Sequence, residues 1–276
     1  MSKRRSPGRI EACFARAREE RRPVLVAYLC VGDPSVEASY SIARALLDAG
    51  ADMLELGAPF SDPTADGPVI ARASQRAIER GSSMRAAIAL GARLRAETEA
   101  PLVLFGYANP IIVRGERDTV RAVHDAGIDA MLVVDLPPEE GDDLRDEARA
   151  RGVDVIPLLT PTSSPSRVEA ARHGASGFVY YVSVTGVTGS TASDPFDDAA
   201  RAAVRLRGAM DLPVVVGFGI DSADKARRAS GGGDPSRGAD GVVVGTAIVR
   251  AIEEARNDVA AACANAAAIT RSIRAV

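Results

Sequence analysis

The amino-acid sequence predicts an α/β fold, a closed (β/α)8 (TIM) barrel that forms a single domain over residues 1–276. Three observations predict it. Short, nearly continuous apolar segments alternate eight times with helical segments, the pattern of a parallel sheet that is covered on both faces. A weak repeat of helix end, glycine and short strand recurs at 46–57, 123–135, 171–183 and 236–245. Eight such units in about 250 residues have the usual size of a barrel.

The first predicted element is an extra helix over Pro7–Glu20, which we expect to cover the bottom of the barrel, after a flexible tail at residues 1–7. Four strands lie within the repeats, and the other four are predicted over Val24–Val31, Leu102–Gly106, Asp154–Leu159 and Pro213–Gly217. The predicted helices are Val36–Ala49, Val69–Arg80, Met84–Thr98, Thr119–Ala126, Gly141–Arg151, Pro165–His173, Asp197–Met210, Ser222–Ala229 and Thr246–Asn257. His124 and His173 fall in last helical turns, where an imidazole complements the helix dipole, so a structural role is favoured for both.

An open, doubly wound sheet is the alternative architecture. It would require a glycine-rich dinucleotide-binding turn after the first strand, and the segment CVGDPS at 30–35 does not provide one. The glycine-rich segment at 230–238 lies between a helix and the next strand. In a barrel such loops lie on the bottom face, away from the chemistry, so this segment is interpreted as a tolerated insertion.

Composition excludes several classes of function. The net charge is −3 and no basic stripe runs along the chain, which argues against nucleic-acid binding. No apolar run reaches the ~18 residues that a membrane span requires, and the basic start at residues 3–5 lacks the apolar region of a signal peptide. Cys13, Cys30 and Cys263 are far apart and odd in number, which predicts no disulfide framework, no metal site and a reducing, cytoplasmic location.

An acidic residue, Glu55, interrupts the apolar second strand. If Leu54 and Leu56 face the helices, then Met53 and Glu55 face the barrel axis, because strand side chains alternate. Glu55 then lies near the carboxyl end of its strand, where barrel active sites are found. Burial raises the pKa of a carboxyl group toward the range that acid–base catalysis requires. The alternative is a glutamate paired with a buried arginine, but the predicted strands contain neither Arg nor Lys.

Two further carboxylates follow in the loop FSDPTADGP at 60–68. Asp62 and Asp66 each sit in ordinary turn chemistry, and each taken alone favours a helix cap. In combination with Glu55 at the same end of the barrel, they indicate that Asp66 or Asp62 faces a substrate.

Glycine-rich segments follow the last three strands, at 183–190, 217–220 and 245–248. Barrel phosphate sites commonly form after strands seven and eight, where glycine lets backbone N–H groups approach an anion. The candidates are Gly189, Gly219, Gly245 and Thr246, although each glycine alone is equally compatible with a turn. The small-residue segment at 184–195 is typical either of a mobile lid or of a disordered connection.

The residues that are missing narrow the reaction. A Schiff-base aldolase needs a lysine at a strand end, but Lys225 lies on a predicted helix and Lys3 lies in the tail. A metal-dependent aldolase or epimerase needs clustered histidines, and the two histidines end separate helices. What remains is acid–base chemistry by carboxylates, tyrosine and backbone amides on a phosphorylated small molecule.

The sequence resembles the alpha subunit of tryptophan synthase from about Gly8 to its C-terminus. The loop-two segment LELGAPFSDPTADGP and the segment GFVYYVSVTGVTG carry the most specific part of this resemblance, and LVAYLCVGDP, FGYANPI, MLVVDLPPEE, VVGFGI and GVVVGTAIV match in order. The resemblance implies a TIM barrel that cleaves indole-3-glycerol phosphate to indole and glyceraldehyde 3-phosphate. It implies Glu55 as the proton donor and acceptor at indole C3 and Asp66 at the indole N–H, and it implies that Tyr180 helps to orient Glu55 and the substrate. The substrate-binding residues that it implies are Tyr28, Phe105, Thr188, Gly189, Phe218, Gly219, Gly245 and Thr246.

The resemblance also implies a partner, a beta subunit that carries pyridoxal phosphate and receives indole within an α2β2 complex, and no cofactor in this chain. Thr64 stands where the family often has Leu, Tyr28 where it usually has Phe and Thr246 where it usually has Ser. Three other functions stay open at this point: a stand-alone lyase that releases free indole, a catalytically weak scaffold that activates a partner, and a phosphosugar isomerase or flavin-binding barrel. The intact Glu55, Asp66 and Tyr180 argue against the scaffold.

Overall fold

A computed structural model describes residues 8–182, 194–217 and 219–275 of the chain. Its described strands form one parallel sheet in the order β5-β4-β3-β2-β1-β9-β8-β7-β6. The strands are β1 (Val24–Cys30), β2 (Met53–Gly57), β3 (Leu102–Gly106), β4 (Ala130–Val133), β5 (Asp154–Val155), β6 (Leu158–Leu159), β7 (Val179–Val182), β8 (Val214–Gly217) and β9 (Gly241–Val244). This confirms the predicted parallel α/β barrel.

The predicted fifth strand, Asp154–Leu159, is divided into β5 and β6, which makes nine strands where eight were predicted. Pro157 lies between the two pieces and has no N–H with which to continue a ladder. The segment 156–157 still connects β5 and β6, the two end strands of the sheet, and so closes the barrel. The Ile156 amide donates to the Met131 carbonyl on one side (2.9 Å), and the Tyr180 amide donates to the Pro157 carbonyl on the other (2.9 Å).

Twelve α-helices are found in the described part of the chain. They are α1 (Arg9–Glu19), α2 (Val36–Asp48), α3 (Pro68–Glu79), α4 (Met84–Arg95), α5 (Ala108–Arg114), α6 (Glu116–Asp125), α7 (Asp142–Arg151), α8 (Pro165–Arg172), α9 (Pro195–Met210), α10 (Ala223–Ala229), α11 (Thr246–Glu254) and α12 (Val259–Arg274).

Two of these helices, α5 and α12, were not predicted from the sequence. Helix α5 is only seven residues long and carries Pro110 in its first turn, so it gives almost no helical periodicity. The predicted helix Thr246–Asn257 was too long: it ends at Glu254, since Arg256 and Asn257 have φ values of +49° and +72°. The chain then restarts as α12, with the Asp258 carboxylate accepting from the Ala261 amide (3.0 Å) at the N-cap.

The apolar side chains divide into an outer layer between strands and helices and an inner cluster along the barrel axis. Leu54 and Leu56 belong to the outer layer, whereas Met53 belongs to the inner cluster. This confirms the predicted alternation along β2. The predicted bottom helix is also confirmed, because α1 contributes buried residues to the inner cluster and the Phe14 ring lies 5.8 Å from that of Phe178, centroid to centroid.

The four sequence repeats have a second common feature that the sequence analysis missed. Three of their glycines, Gly50, Gly127 and Gly174, have positive φ values of +100°, +68° and +81°, which confirms that glycine turns the chain at the helix end. Two residues after each repeat glycine, a side-chain oxygen accepts the backbone N–H of a neighbouring strand. The pairs are Asp52 with Leu25 (2.9 Å), Asp129 with Leu102 (2.8 Å), Ser176 with Val155 (3.2 Å) and Asp240 with Val214 (2.9 Å).

No helix among residues 8–182, 194–217 and 219–275 has the length and apolar character needed to cross a membrane. The three cysteines are free thiols, with Cys13 and Cys30 buried. Burial raises the pKa of both thiols, which keeps them protonated and unreactive.

Candidate active site

Glu55 lies inside the barrel, as the sequence predicts. It is the middle residue of β2, and it pairs in register with Tyr28 on β1 and Val103 on β3. The residue is fully buried, and neither carboxylate oxygen has a hydrogen-bond partner within the described residues. Desolvation raises the pKa of the carboxyl group to about 8. The alternative of a glutamate paired with arginine therefore finds no support in the described part of the chain.

Three aromatic side chains lie close together along the barrel axis. The ring of Phe105 on β3 lies 5.2 Å from that of Tyr28 in an edge-on arrangement and 6.4 Å from that of Tyr180, centroid to centroid. The Tyr28 hydroxyl occupies the place that a side chain at Gly57 would need, and the Tyr180 hydroxyl does the same at Gly217. Both phenols therefore reach the carboxyl ends of neighbouring strands. Burial raises the pKa of both tyrosines, and the nearby Glu55 and Asp66 raise it further.

Asp66 is half-buried in the loop between β2 and α3. Desolvation raises the pKa of its carboxyl group to about 6, and interaction with the Tyr107 hydroxyl acts in the opposite direction. The helix-cap role that the sequence favours for an isolated aspartate is wrong here, because Gly67 is the N-cap of α3 and no side chain caps it. Asp62 is exposed and accepts the Ser61 hydroxyl (2.5 Å). Of the two aspartates, Asp66 is the one that raises the pKa of Tyr28 and Tyr180, as Glu55 also does.

Tyr107 is the site residue that the sequence analysis missed. It directly follows β3, and its buried hydroxyl accepts the Ala65 amide (3.1 Å). Its ring stacks on that of Phe60 with centroids 4.9 Å apart. The available signal was a polar aromatic residue directly after a barrel strand, in the segment FGYANPI, but its contact with the loop after β2 depends on the tertiary structure.

The described part of the candidate phosphate site follows β9, which is separated from β2 only by β1, and helix α11 lies beside α3. Gly245 is the N-cap of α11, and a Cβ at this position would lie in ordinary contact with the Tyr28 side chain (3.6 Å). Thr246 begins α11, and within the described residues no side chain caps this N-terminus. Its first N–H groups therefore remain available to an anion. Gly219 has a φ value of +68°, a conformation that favours glycine.

Thr188, Gly189 and Phe218 lie outside the described residues, so their predicted roles stay predictions. The two histidines end helices as predicted: His124 is in the last turn of α6 beside Asp125 (3.0 Å), and His173 is the C-cap of α8. Within the described ranges, no group of three or more His, Cys, Asp and Glu side chains could hold a metal ion.

The site combines two carboxyl groups of different pKa with the uncapped N-terminus of α11. A carboxyl group of pKa about 8 is mostly protonated at neutral pH, whereas one of pKa about 6 is mostly ionised. Such a pair provides a proton donor and a proton acceptor in the same site. The helix N-terminus fits a phosphate group.

Comparison with known proteins gives a consistent result. The family profile described as tryptophan synthase alpha chain matches residues 14–275. The tryptophan synthase alpha chain of Citrifermentans bemidjiense is 46% identical over 246 residues, which covers 89% of this chain and 90% of that protein.

Solved structures show the same fold. Tryptophan synthase subunit alpha from Legionella pneumophila superposes with a TM-score of 0.85 at 32% identity, over 98% of this chain and 100% of that one. A chain from a structure of the tryptophan synthase α2β2 complex of Pyrococcus furiosus matches with a TM-score of 0.80 at 31% identity, over 92% of this chain and 98% of that one.

Proposed function

Since this chain belongs to the tryptophan synthase alpha chain family, we propose that Glu55 and Asp66 perform the proton transfers of its reaction. The enzyme is a lyase of tryptophan biosynthesis that cleaves indole-3-glycerol phosphate to indole and glyceraldehyde 3-phosphate. The residue assignment depends on the environment of Glu55. Its carboxyl group is fully buried in the barrel interior and has no partner among the described residues, and burial raises its pKa to about 8.

In the first step, protonated Glu55 transfers its proton to C3 of the indole ring. The ring becomes an indoleninium cation, and its N–H proton passes to the Asp66 carboxylate, which leaves a neutral indolenine. Asp66 suits this role because its pKa of about 6 leaves it ionised at neutral pH. Tyr180, whose pKa responds to both carboxylates, orients Glu55 and the substrate.

In the second step, the Glu55 carboxylate takes the proton from the hydroxyl group on the carbon attached to indole C3. The carbon–carbon bond breaks, and its electrons restore the C2–C3 double bond of indole while the ring nitrogen regains its proton from Asp66. The hydroxyl carbon becomes the aldehyde of glyceraldehyde 3-phosphate. Glu55 ends protonated and Asp66 ends ionised, so each returns to its starting state.

Substrate binding uses the two sides of the barrel mouth. Tyr28 and Phe105, whose rings meet edge to face, flank the indole ring, and we assign Phe218 to the same aromatic wall. The phosphate group binds at Gly189, Gly219, Gly245 and Thr246, an assignment supported by the uncapped N-terminus of α11. We assign Thr188 as a further substrate-binding residue, the role that the resemblance to the family implies.

We also propose that a beta subunit carrying pyridoxal phosphate binds this chain in an α2β2 complex and receives the indole. The partner must cover the end of the barrel at which the candidate active site opens to solvent, because indole would otherwise escape. Helix α5 begins at that end and leaves Ile112 and Val113 exposed by 63% and 80%, which supports a partner surface there. This chain itself is proposed to bind no cofactor.

The proposal also includes the domain organisation and the cellular location of the chain. The described strands form one sheet, which supports a single domain over residues 1–276, with residues 1–7 outside the described part. The three free cysteines support a reducing, cytoplasmic location.

The test is indole release from indole-3-glycerol phosphate by the purified chain, alone and with a beta subunit. Slow release alone and strong stimulation by the partner support the α2β2 assignment. Fast release without a partner supports the alternative, a stand-alone lyase that produces free indole. If neither condition releases indole, the assignment of this chemistry to the chain is wrong.

A further inference from the structure

The loop that carries Asp66 has few anchors within the described structure. Between Phe60 and Gly67 most residues are exposed. At the start of the loop, the Phe60 amide donates to the Ser74 hydroxyl of α3 (2.7 Å), which in turn donates to the Phe60 carbonyl (2.9 Å). This clamp lies six residues before Asp66, too far along the chain to fix the orientation of its carboxylate.

The second anchor is Tyr107, which contacts the loop at two points. Its ring stacks on Phe60, and its hydroxyl accepts the Ala65 amide, one residue before Asp66. Tyr107 itself is held firmly, because it is only 3% exposed and lies between β3 and α5. It therefore joins the buried end of β3 to the exposed part of the loop.

We propose that Tyr107 is a positioning residue for Asp66, and that its hydroxyl fixes the carboxylate at the mouth of the barrel. The inference rests on the proposed function, since it concerns where Asp66 must lie to meet the indole N–H. Tyr107 does not itself touch the reacting atoms.

Two surrounding features support this role. Within the described residues, Asp66 forms no ion pair with an arginine or lysine, and the only side chain that acts on its pKa is Tyr107, so no cation competes with Tyr107 for the carboxylate. On its other side, Tyr107 is the N-cap of α5, whose first amide, that of Ala108, donates to Asp135 after β4 (2.7 Å). The exposed side chains of α5, Ile112 and Val113, thus lie five and six residues along the chain from the anchor of Asp66.

The test compares Tyr107→Phe with a matched control, Tyr40→Phe. Tyr107→Phe keeps the ring that stacks on Phe60 and removes only the hydroxyl. The Tyr40 hydroxyl also contacts a carboxylate, that of Glu97 (2.5 Å), but on the outside of α2. We expect Tyr107→Phe to lower kcat about tenfold, the effect of one lost hydrogen bond near a charge, with KM and glycerol phosphate affinity within about threefold of wild type. We expect Tyr40→Phe to match wild type.

A second readout does not depend on turnover. Because the interaction with Tyr107 lowers the pKa of Asp66, Tyr107→Phe should raise that pKa, as measured by NMR titration of the carboxyl carbons in the free chain. If Asp66→Asn abolishes indole release while Tyr107→Phe leaves kcat and the Asp66 pKa unchanged, the positioning role is wrong and the proposed function stands. If wild type releases no indole at all, the proposed function fails, and an unchanged Asp66 pKa in Tyr107→Phe would overturn the positioning role separately.

Discussion

The two ends of the barrel treat buried carboxylates in opposite ways. At the amino ends of the strands, Asp52 accepts Arg22 through both oxygens (2.8 and 3.0 Å) and Arg274 (3.1 Å), in addition to the Leu25 amide. Further toward the carboxyl ends, in the middle of β2, Glu55 is more deeply buried and has no partner among the described residues. The two acids are three residues apart in sequence, but Asp52 directly precedes β2 at the bottom of the barrel, whereas Glu55 is the middle residue of β2 and faces the interior.

The same contrast recurs around the barrel. Asp129 accepts Arg95 (2.7 Å) and Arg9 (3.2 Å), and Asp240 accepts Arg207 (2.8 Å). Each also accepts the amide of a neighbouring strand, so every one of these bottom-face aspartates ties strand to strand and strand to arginine. Satisfied charges stabilise the fold, whereas an unsatisfied carboxyl group costs stability and is useful only where protons must move. The carboxylates at the bottom of the barrel therefore stabilise the fold, whereas Glu55 nearer the top is suited to proton transfer.

The largest expected effect comes from Glu55→Gln. The amide has nearly the same shape but cannot transfer a proton, so indole release should fall about 10³-fold while glycerol phosphate binding stays within twofold. Glu79→Gln on the outside of α3 is the control and should keep full activity. If Glu55→Gln turned over near the wild-type rate, Glu55 would not be the proton-transfer group of the reaction.

Asp52→Asn tests the structural side. Removing this charge leaves Arg22 and Arg274 without their carboxylate, and we expect a loss of about 3 kcal/mol in the free energy of unfolding, measured with urea. Below the unfolding transition, kcat should change less than twofold. The control is Asp48→Asn, an exposed aspartate at the end of α2, for which we expect less than about 0.5 kcal/mol. Equal losses of unfolding free energy for the two variants would show that the contacts of Asp52 with Arg22 and Arg274 add no stability.

The pH dependence sharpens the comparison, because the top-face acids titrate near neutrality. Asp66 must be ionised and Glu55 protonated, so kcat/KM should form a bell with apparent pKa values of about 6 and about 8, falling tenfold per pH unit outside it. Glu55 has a folded pKa above its unfolded value of about 4.5. Its contribution to stability is therefore complete below pH 4.5 and is lost as the pH rises through about 8.

Glu55→Gln provides the control for this titration. The unfolding temperature of wild type should fall between pH 6 and pH 9 more steeply than that of the variant, which lacks the titrating group. Parallel curves for the two proteins would mean that Glu55 has an ordinary pKa and is not the buried acid of the mechanism.

The smallest expected effect concerns the phosphate end. Gly219→Val places a side chain on a residue with a φ of +68°, which strains the backbone beside the proposed phosphate site. We expect glycerol phosphate to bind about tenfold more weakly, by calorimetry, with kcat at saturating substrate within threefold. Gly208→Val on α9, where a Cβ meets open space, should bind as wild type does. Unchanged affinity in Gly219→Val would remove this residue from the site.

Much of the site could be predicted from sequence because its signals are local. An acid in an apolar strand and glycines after strands are visible in a few residues each, and alternation along β2 was enough to place Glu55 in the barrel interior. Tyr107 could not be predicted in its role, because the residues it contacts, Phe60 and Ala65, belong to a loop more than forty positions earlier in the chain. The roles of Thr188, Gly189 and Phe218 stay predictions.

The sequence by itself determined the parallel barrel, the orientation of Glu55 and the glycine turns, because periodicity and glycine act over a few neighbouring residues. Only the tertiary structure decided that Asp66 rather than Asp62 acts on the same tyrosines as Glu55. It also decided that Tyr107 anchors the Asp66 loop and that the repeat aspartates bind arginines from distant helices. Hydrogen bonds and desolvation depend on distances between residues far apart in the chain, and those distances are set only when the sheet curls so that its ends meet at Pro157.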